Sequence, residues 1–233
     1  MKILRIAAKW LFILCLPVLL LTASIAGAVN CLWLYKYGFD KYDVGQTTGL
    51  ADAELEKAAR GLISYFNSDE EPISVTVIKD GEPFKLFNQR EIVHLADVKG
   101  LIRLDYWLLL GASVYALGYS GLSLLLRRPG YRHRLATGVV VGSGLTLALM
   151  LALGLAVLLD FDRFFWQFHV ISFSNDFWQL DPTKDYLIML FPQGFWYQAT
   201  IFCALATVAG AILLGGTAWY YRKRHKNTKE YNN

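Results

Sequence analysis

The sequence predicts an α-helical integral membrane protein with four transmembrane helices and a small extracytoplasmic α/β cap. Its 233 residues are 55% hydrophobic and only 18% charged, whereas a soluble domain carries about 25% charged residues. Charged residues are absent from four long stretches, 10–35, 106–126, 135–159 and 186–221. Each stretch reaches the roughly 20 residues that a helix needs to cross a bilayer. These observations exclude a disordered chain, a collagen-like chain and a disulfide-stapled secreted module.

The apolar stretches and the polar residues between them predict the order of segments. In sequence, we expect transmembrane helix 1 (10–35), an extracytoplasmic cap (36–105), transmembrane helix 2 (106–126), a cytoplasmic loop (127–134), transmembrane helix 3 (135–159), an outer-interface loop (160–194), transmembrane helix 4 (195–219) and a cytoplasmic tail (220–233). This order predicts a multi-pass protein of the cell membrane whose spans contact the phospholipid bilayer.

The distribution of charge predicts which side of the membrane each segment faces. Segments 1–9, 127–134 and 222–233 hold 12 Lys or Arg and one acid, whereas segments 36–105 and 160–185 hold 11 Lys or Arg and 18 acids. Because Lys and Arg are enriched in short cytoplasmic loops, both termini are predicted to be cytoplasmic and both acidic segments to be outside. The net charge of +4 is therefore a sum of two unlike halves, and it does not indicate a nucleic-acid partner.

The first apolar stretch has a second interpretation, as a signal peptide. A basic segment precedes Trp10, and Ala26-Gly27-Ala28 resembles a signal-peptidase site, so cleavage after Ala28 is compatible with the sequence. The uncharged run nevertheless continues to Tyr35, which favours a retained membrane anchor.

The first part of the predicted cap combines a helix with a β-hairpin. Apolar residues recur at helical spacing from Leu50 to Tyr65. Residues 73–79 then alternate as a strand, Asp80-Gly81 is a two-residue hairpin turn, and residues 84–87 are the predicted return strand.

The last element of the predicted cap is a helix that carries a histidine. Asn88 followed by Glu91 is typical of a capped helix start, so the helix is predicted to run from there to about Gly100. His94 and Asp97 are three residues apart and can share one face, where the carboxylate could orient the imidazole. A purely structural His–Asp hydrogen bond is the commoner origin of such a pair, and capping explains Glu91 better than catalysis does.

The outer-interface loop mixes polar side chains with aromatic rings. Residues 161–197 hold thirteen of the 34 Phe, Trp and Tyr residues in the chain. Aromatic crowding is typical of a membrane interface, but it does not account for His169, Asn175 and Asp176 among the rings. These three side chains are therefore candidate functional residues.

Motifs of several soluble enzymes are absent from the sequence. It has no His-Glu-x-x-His helix, no Gly-x-Ser-x-Gly turn, no phosphate-binding glycine loop and no Cys-x-x-Cys, and no nucleotide is predicted. His94, His169 and the nearby aspartates leave open a metal-dependent membrane hydrolase. That alternative is weakened because no ligand pair has the i, i+4 spacing of a helical zinc motif.

Two stretches resemble the lipoprotein intramolecular transacylase (Lit) family of certain Gram-positive bacteria. They are residues 87–99, FNQREIVHLADVK, and residues 168–192, FHVISFSNDFWQLDPTKDYLIMLFP. The resemblance covers nearly the whole chain in length and span order, with Leu95 standing where Met is expected. It implies a four-helix membrane acyltransferase that moves the sn-2 acyl chain of a diacylglyceryl-modified lipoprotein onto the α-amino group of its N-terminal cysteine, giving the lyso-form. It also implies that His94 and His169 are the catalytic residues.

The implied reaction fits the side chains of the predicted extracytoplasmic segments. An α-amino group, with a pKa of roughly 7.7–8.0, must lose a proton before it attacks an ester, and histidine is a suitable acceptor. We expect His94, oriented by Asp97, to be this base. We expect His169, with Asn175, to stabilise the oxyanion.

The remaining expectations concern the surroundings of this chemistry. Asp176 is expected to support the site, and Phe173 and Trp178 are expected to contact the lipid substrate at the outer leaflet. Because nucleophile and ester belong to one molecule, no metal, nucleotide or other cofactor is expected. The alternative from a different class is a non-enzymatic membrane protein whose extracytoplasmic cap binds a partner.

Overall fold

The computed structural model describes residues 2–125 and 130–230, and this part of the chain is mostly helical. In order, its elements are α1 (Lys2–Val29), α2 (Leu32–Lys41), α3 (Val44–Thr48), α4 (Asp52–Phe66), β1 (Thr76–Lys79), β2 (Glu82–Lys85), α5 (Gln89–Leu125), α6 (Tyr131–Leu159), α7 (Phe161–Ser172), α8 (Tyr186–Leu190) and α9 (Gln193–Glu230). The predicted cytoplasmic loop 127–134 and tail 220–233 lie partly outside the described residues.

Four helices are long and apolar enough to cross a bilayer, which confirms the prediction of a four-span membrane protein. These candidate spans are Ile3–Val29, Gln89–Leu125, Tyr131–Leu159 and Gln193–His225. The helix predicted to end near Gly100 instead continues into the second span. Its 37 residues measure about 55 Å, more than the roughly 30 Å of a hydrocarbon core.

The chain divides into two compact units. The transmembrane unit comprises Met1–Ile25, Tyr106–Leu155 and Cys203–Asn233, and the site unit comprises Ala26–Asp105 and Ala156–Phe202. The long helices α5, α6 and α9 therefore each contribute residues to both units.

Small residues and hydroxyl groups join the helices within the transmembrane unit. Phe12 and Leu16 of α1 are buried together with Ala116 of α5. A Cβ atom at Gly142 of α6 would lie 2.5 Å from the Cδ1 atom of Leu16, so only glycine permits this close approach of helices. The hydroxyl groups of Ser24 and Thr207 are 2.8 Å apart and link α1 to α9.

In the site unit, the sheet is limited to one two-stranded hairpin among the described residues. β1 and β2 are antiparallel. β1 is shorter than the predicted strand 73–79, whereas β2 has the predicted length but begins two residues before the predicted strand 84–87. Asp80 and Gly81 have φ of 52° and 84°, the positive values that a tight hairpin turn requires. The carboxylate of Glu54 on α4 accepts a hydrogen bond from the backbone N–H of Ile78 at 2.9 Å, which ties the hairpin to that helix.

The predicted outer-interface loop contains a helix, α7. Asp160 caps it by accepting a hydrogen bond from the backbone N–H of Arg163 at 2.9 Å. The Phe161 ring stacks on the Phe165 ring, with centroids 5.5 Å apart, one helical turn later. A loop was predicted here because crowded aromatic residues are typical of an irregular interface segment. The spacing of Phe161 and Phe165 is equally typical of a helix.

Candidate active site

The first turns of α5 support the site, and their helical start follows the predicted pattern. The side chain of Asn88 accepts hydrogen bonds from the backbone N–H groups of Arg90 and Glu91, at 2.9 and 3.2 Å. The Glu91 carboxylate accepts one from the backbone N–H of Asn88 at 2.7 Å. This reciprocal arrangement is a capping box, and it confirms the capping role predicted for Glu91.

The structure brings together the two histidines that the sequence places 75 positions apart. His94 on α5 and His169 on α7 have ring centroids 6.1 Å apart and ring planes inclined by 29°. Both side chains are almost fully buried, with 7% and 8% of their surface exposed. At this separation, both imidazoles are close enough to contact one ester group.

Aromatic rings enclose the histidine pair. The Phe173 ring is 5.0 Å from His94 and 5.5 Å from His169, measured between centroids. Trp178 and Phe165 approach His169 at 4.9 and 4.4 Å. The two residues predicted to contact substrate therefore lie beside the histidines, in apolar surroundings where electrostatic interactions are stronger than in water.

Hydrogen bonding distinguishes the two imidazoles. Nδ1 of His169 is 2.7 Å from the backbone carbonyl oxygen of Phe165. A carbonyl oxygen can only accept, so Nδ1 carries the proton, and in the neutral ring Nε2 holds a free lone pair. Burial lowers the pKa of His169 below its ordinary value, although the bond to Phe165 opposes this effect. The ring is therefore neutral near pH 7.

His94 has the opposite pattern. Its Nδ1 atom is buried and has no hydrogen-bond partner among the described residues. A buried N–H group without a partner is rarer in proteins than an unpaired acceptor. The neutral ring is therefore expected to carry its proton on Nε2, which makes His94 a hydrogen-bond donor.

Asp97 and Asn175 bond to each other. The side-chain amide of Asn175 donates to the Asp97 carboxylate at 2.8 Å, and its carbonyl oxygen accepts from the backbone N–H of Phe177 at 3.0 Å. Asp176 accepts through its backbone oxygen from the guanidinium of Arg90 at 2.6 Å. The sequence suggested Asp97 for orienting His94 and Asn175 for the oxyanion, whereas these contacts hold the segment after α7 against α5.

Two buried acids in this region were not predicted as site residues. Glu91, with none of its surface exposed, also accepts a hydrogen bond from the backbone N–H of Leu187 at 2.6 Å. Asp185, 2% exposed, accepts from the side-chain amide of Asn88 at 2.8 Å and from the backbone N–H of Asp181 at 2.7 Å. For Asp185, the only indication in the sequence was its position in the second motif. Glu91 was not predicted as a site residue because its capping role already explained it.

No group of three or more His, Cys, Asp or Glu side chains is arranged to hold a metal ion within residues 2–125 and 130–230.

A family model and a relative from another organism match this sequence. The family model "Lipoprotein intramolecular transacylase Lit" matches residues 10–196. An uncharacterized protein of Aquifex aeolicus (strain VF5) is 29% identical over 171 residues, which cover 71% of this chain and 72% of the relative.

Solved structures of the membrane integral lipoprotein intramolecular transacylase Lit from Bacillus cereus share the fold. One superposes with a TM-score of 0.79 at 18% identity and covers 98% of this chain and 100% of the other. A variant of that protein with a histidine replaced by arginine gives a TM-score of 0.76 at 19% identity, covering 97% and 96%. Because the family model matches most of the sequence, the chain belongs to the lipoprotein intramolecular transacylase (Lit) family.

Proposed function

We propose that this chain moves the sn-2 acyl chain of a diacylglyceryl-modified lipoprotein to the α-amino group of the lipoprotein's N-terminal cysteine. Family membership makes the chain an acyltransferase acting within one lipoprotein molecule. The observation that carries the proposed chemistry is the buried pair of His94 and His169, one from each family motif, with ring centroids 6.1 Å apart.

His169 is the general base in this proposal. Its Nδ1 proton is committed to the Phe165 carbonyl, so Nε2 is the nitrogen that can accept a proton from the attacking amine. The lowered pKa keeps this nitrogen unprotonated near neutral pH. This assignment differs from the one suggested by sequence, which gave the role of base to His94.

His94 is the oxyanion donor. With Nδ1 buried and without a partner in the part of the chain that the structure describes, Nε2–H is the donor that can reach an ester oxygen beside His169. A preorganised donor stabilises the negative charge that develops on the carbonyl oxygen of the tetrahedral intermediate. The aromatic surroundings strengthen this interaction by excluding water.

The steps balance without a further reactant. The amine nitrogen attacks the sn-2 carbonyl carbon, and His169 Nε2 takes a proton from that nitrogen while His94 holds the oxyanion. The bond from the carbonyl carbon to the sn-2 oxygen then breaks, and protonated His169 returns the proton to that oxygen. The products are an amide and a free glyceryl hydroxyl within one molecule, and proximity of nucleophile and ester supplies much of the rate.

The other site residues position the substrate and the loop. Phe173 and Trp178 contact the lipid next to the histidines, while Asp97, Asn175 and Asp176 hold the loop through the hydrogen bonds described above. The charge distribution supports an active site at the outer leaflet, cytoplasmic termini and an extracytoplasmic cap over residues 36–105.

Expression in a cell that makes only diacylated lipoproteins tests this proposal. Transfer leaves the lipoprotein mass unchanged, so fragment spectra of a reporter must show the acyl group on the N-terminal nitrogen. Wild-type protein should produce this N-acyl form, and His94→Ala or His169→Ala should not. An unchanged acyl pattern with folded wild-type protein would instead support the non-enzymatic, partner-binding alternative.

A further inference from the structure

We propose that the transmembrane unit binds an anionic phospholipid, with its phosphate at Arg132 and an acyl chain in a groove between the long helices. The groove is lined only by residues of that unit, whereas His94 and His169 belong to the site unit. The inference therefore does not depend on the proposed acyl transfer.

The groove consists of two neighbouring cavities of about 390 and 310 Å³. Val139 of α6 and Leu214 of α9 line both cavities, so the two cavities adjoin at these residues. Phe12 and Leu16 of α1, together with Ala116 of α5, line the second cavity. All four long helices thus contribute apolar side chains, the surroundings that an acyl chain requires.

The length of the groove matches one leaflet. It extends along α5 from Ser113 in the second cavity to Leu124 in the first. Eleven residues of helix span about 16 Å, and half of a hydrocarbon core is about 15 Å. A lipid whose headgroup lies at the Leu124 end can therefore extend one chain along the whole groove.

Charge identifies the headgroup end. Among the described residues, Arg132 is the one charged residue that lines either cavity, and it shares its end of the groove with the hydroxyl-bearing residue Tyr221. Further basic residues follow at Arg134 and from Arg222 to Arg224. A guanidinium group binds phosphate oxygens in a bidentate manner, so a groove with an apolar body and an arginine end fits an anionic phospholipid.

The test compares two arginine variants in lipid nanodiscs of phosphatidylcholine with or without phosphatidylglycerol. Bound lipid is counted by native mass spectrometry after release from the nanodiscs, and thermal unfolding is measured in parallel. Wild-type protein should retain phosphatidylglycerol in preference to phosphatidylcholine and should unfold at a higher temperature when it is present. Arg132→Gln should weaken this retention about tenfold, the effect of losing one hydrogen bond to a charged group.

Arg134→Gln is the matched control, because it removes the same charge from the same helix. Arg134 lies over the Tyr131 ring at 5.9 Å and does not line the groove. Its variant should keep the lipid preference. Equal losses in the two variants would overturn the proposal in favour of a general attraction to anionic membranes, as would equal retention of both lipids by wild-type protein.

Filling the groove provides a test that keeps Arg132. Ala218→Phe should place a ring in the cavity that Ala218 lines and should abolish the preference, while transfer at the histidine site continues. Retention of phosphatidylglycerol by a folded Ala218→Phe variant would contradict an acyl chain in this groove.

Discussion

The assigned roles of the two histidines predict an asymmetric response to glutamine. The amide nitrogen of glutamine can take the place of an imidazole Nε2–H as a donor, but the side chain cannot accept and carry a proton as a base. At His94, glutamine should therefore rescue part of the activity that alanine removes. At His169, glutamine and alanine should be equally damaging.

The magnitudes follow from the contacts of each ring. His94 supplies one donor, because its Nδ1 is buried and has no partner among the described residues. Losing one oxyanion donor costs about 10²–10³ in kcat, so His94→Ala should be slower by that factor. His94→Gln should recover at least about tenfold, or 1.4 kcal/mol of the barrier. Losing the base at His169 should lower kcat by a factor of about 10²–10⁴ with either replacement.

The assay uses purified protein in detergent and a synthetic diacylglyceryl lipopeptide. The reaction is read as loss of free α-amine to an amine-reactive probe, with fragment spectra locating the acyl group. Melting temperatures establish that each variant is folded. Rescue by glutamine at His169 and not at His94 would refute the assigned roles and would restore His94 as the base.

Four further outcomes follow from the same structure. Glu91→Gln should abolish activity and lower the melting temperature nearly as much as Glu91→Ala. Each carboxylate oxygen accepts one backbone N–H, and the glutamine amide would turn its NH₂ towards one of these donors. Asp97→Asn should stay active, since an amide oxygen can still accept from Asn175, whereas Asp97→Ala should lose most activity in the lipopeptide assay. Burial lowers the pKa of His169 in the folded chain. Below about pH 6.5, the unfolded chain therefore binds more protons than the folded chain does. Wild-type stability, followed by thermal unfolding, should therefore fall as pH drops below 6.5, and less steeply in His169→Gln. EDTA should leave turnover unchanged, because the amine, the ester and both imidazoles complete the proposed proton transfers.

The sequence predicted the four spans because an absence of charge over 20 residues is a local signal. It also located both histidines, each within a family motif. It did not reveal that α5 is one continuous helix, since Gly100 and the charged residues around it suggested a boundary. Hydrogen bonds from Lys99 and Arg103 to residues 68–70 support the helix there.

Hydrogen bonds between distant segments were beyond sequence reasoning. Asp97 lies three residues from His94, and this spacing suggested a pair. The structure also places Asn175, 78 positions away, against this carboxylate. Spacing along a helix identifies which side chains share a face, but it does not identify which other segment packs on that face.

The burial of Glu91 is the clearest case of a contact with consequences for the site. Glu91 has no exposed surface and no ion pair within residues 2–125 and 130–230. Burying such a carboxylate costs several kcal/mol unless hydrogen bonds satisfy it. Here the backbone N–H groups of Asn88 and Leu187 satisfy it, at 2.7 and 2.6 Å. Because these donors belong to the start of α5 and the start of α8, one side chain fixes both segments. His94 lies three residues beyond Glu91, one turn along α5. The turn of α5 that binds the start of α8 through Glu91 therefore also positions the proposed oxyanion donor. Loss of this carboxylate should therefore disturb catalysis without removing any group that touches the substrate.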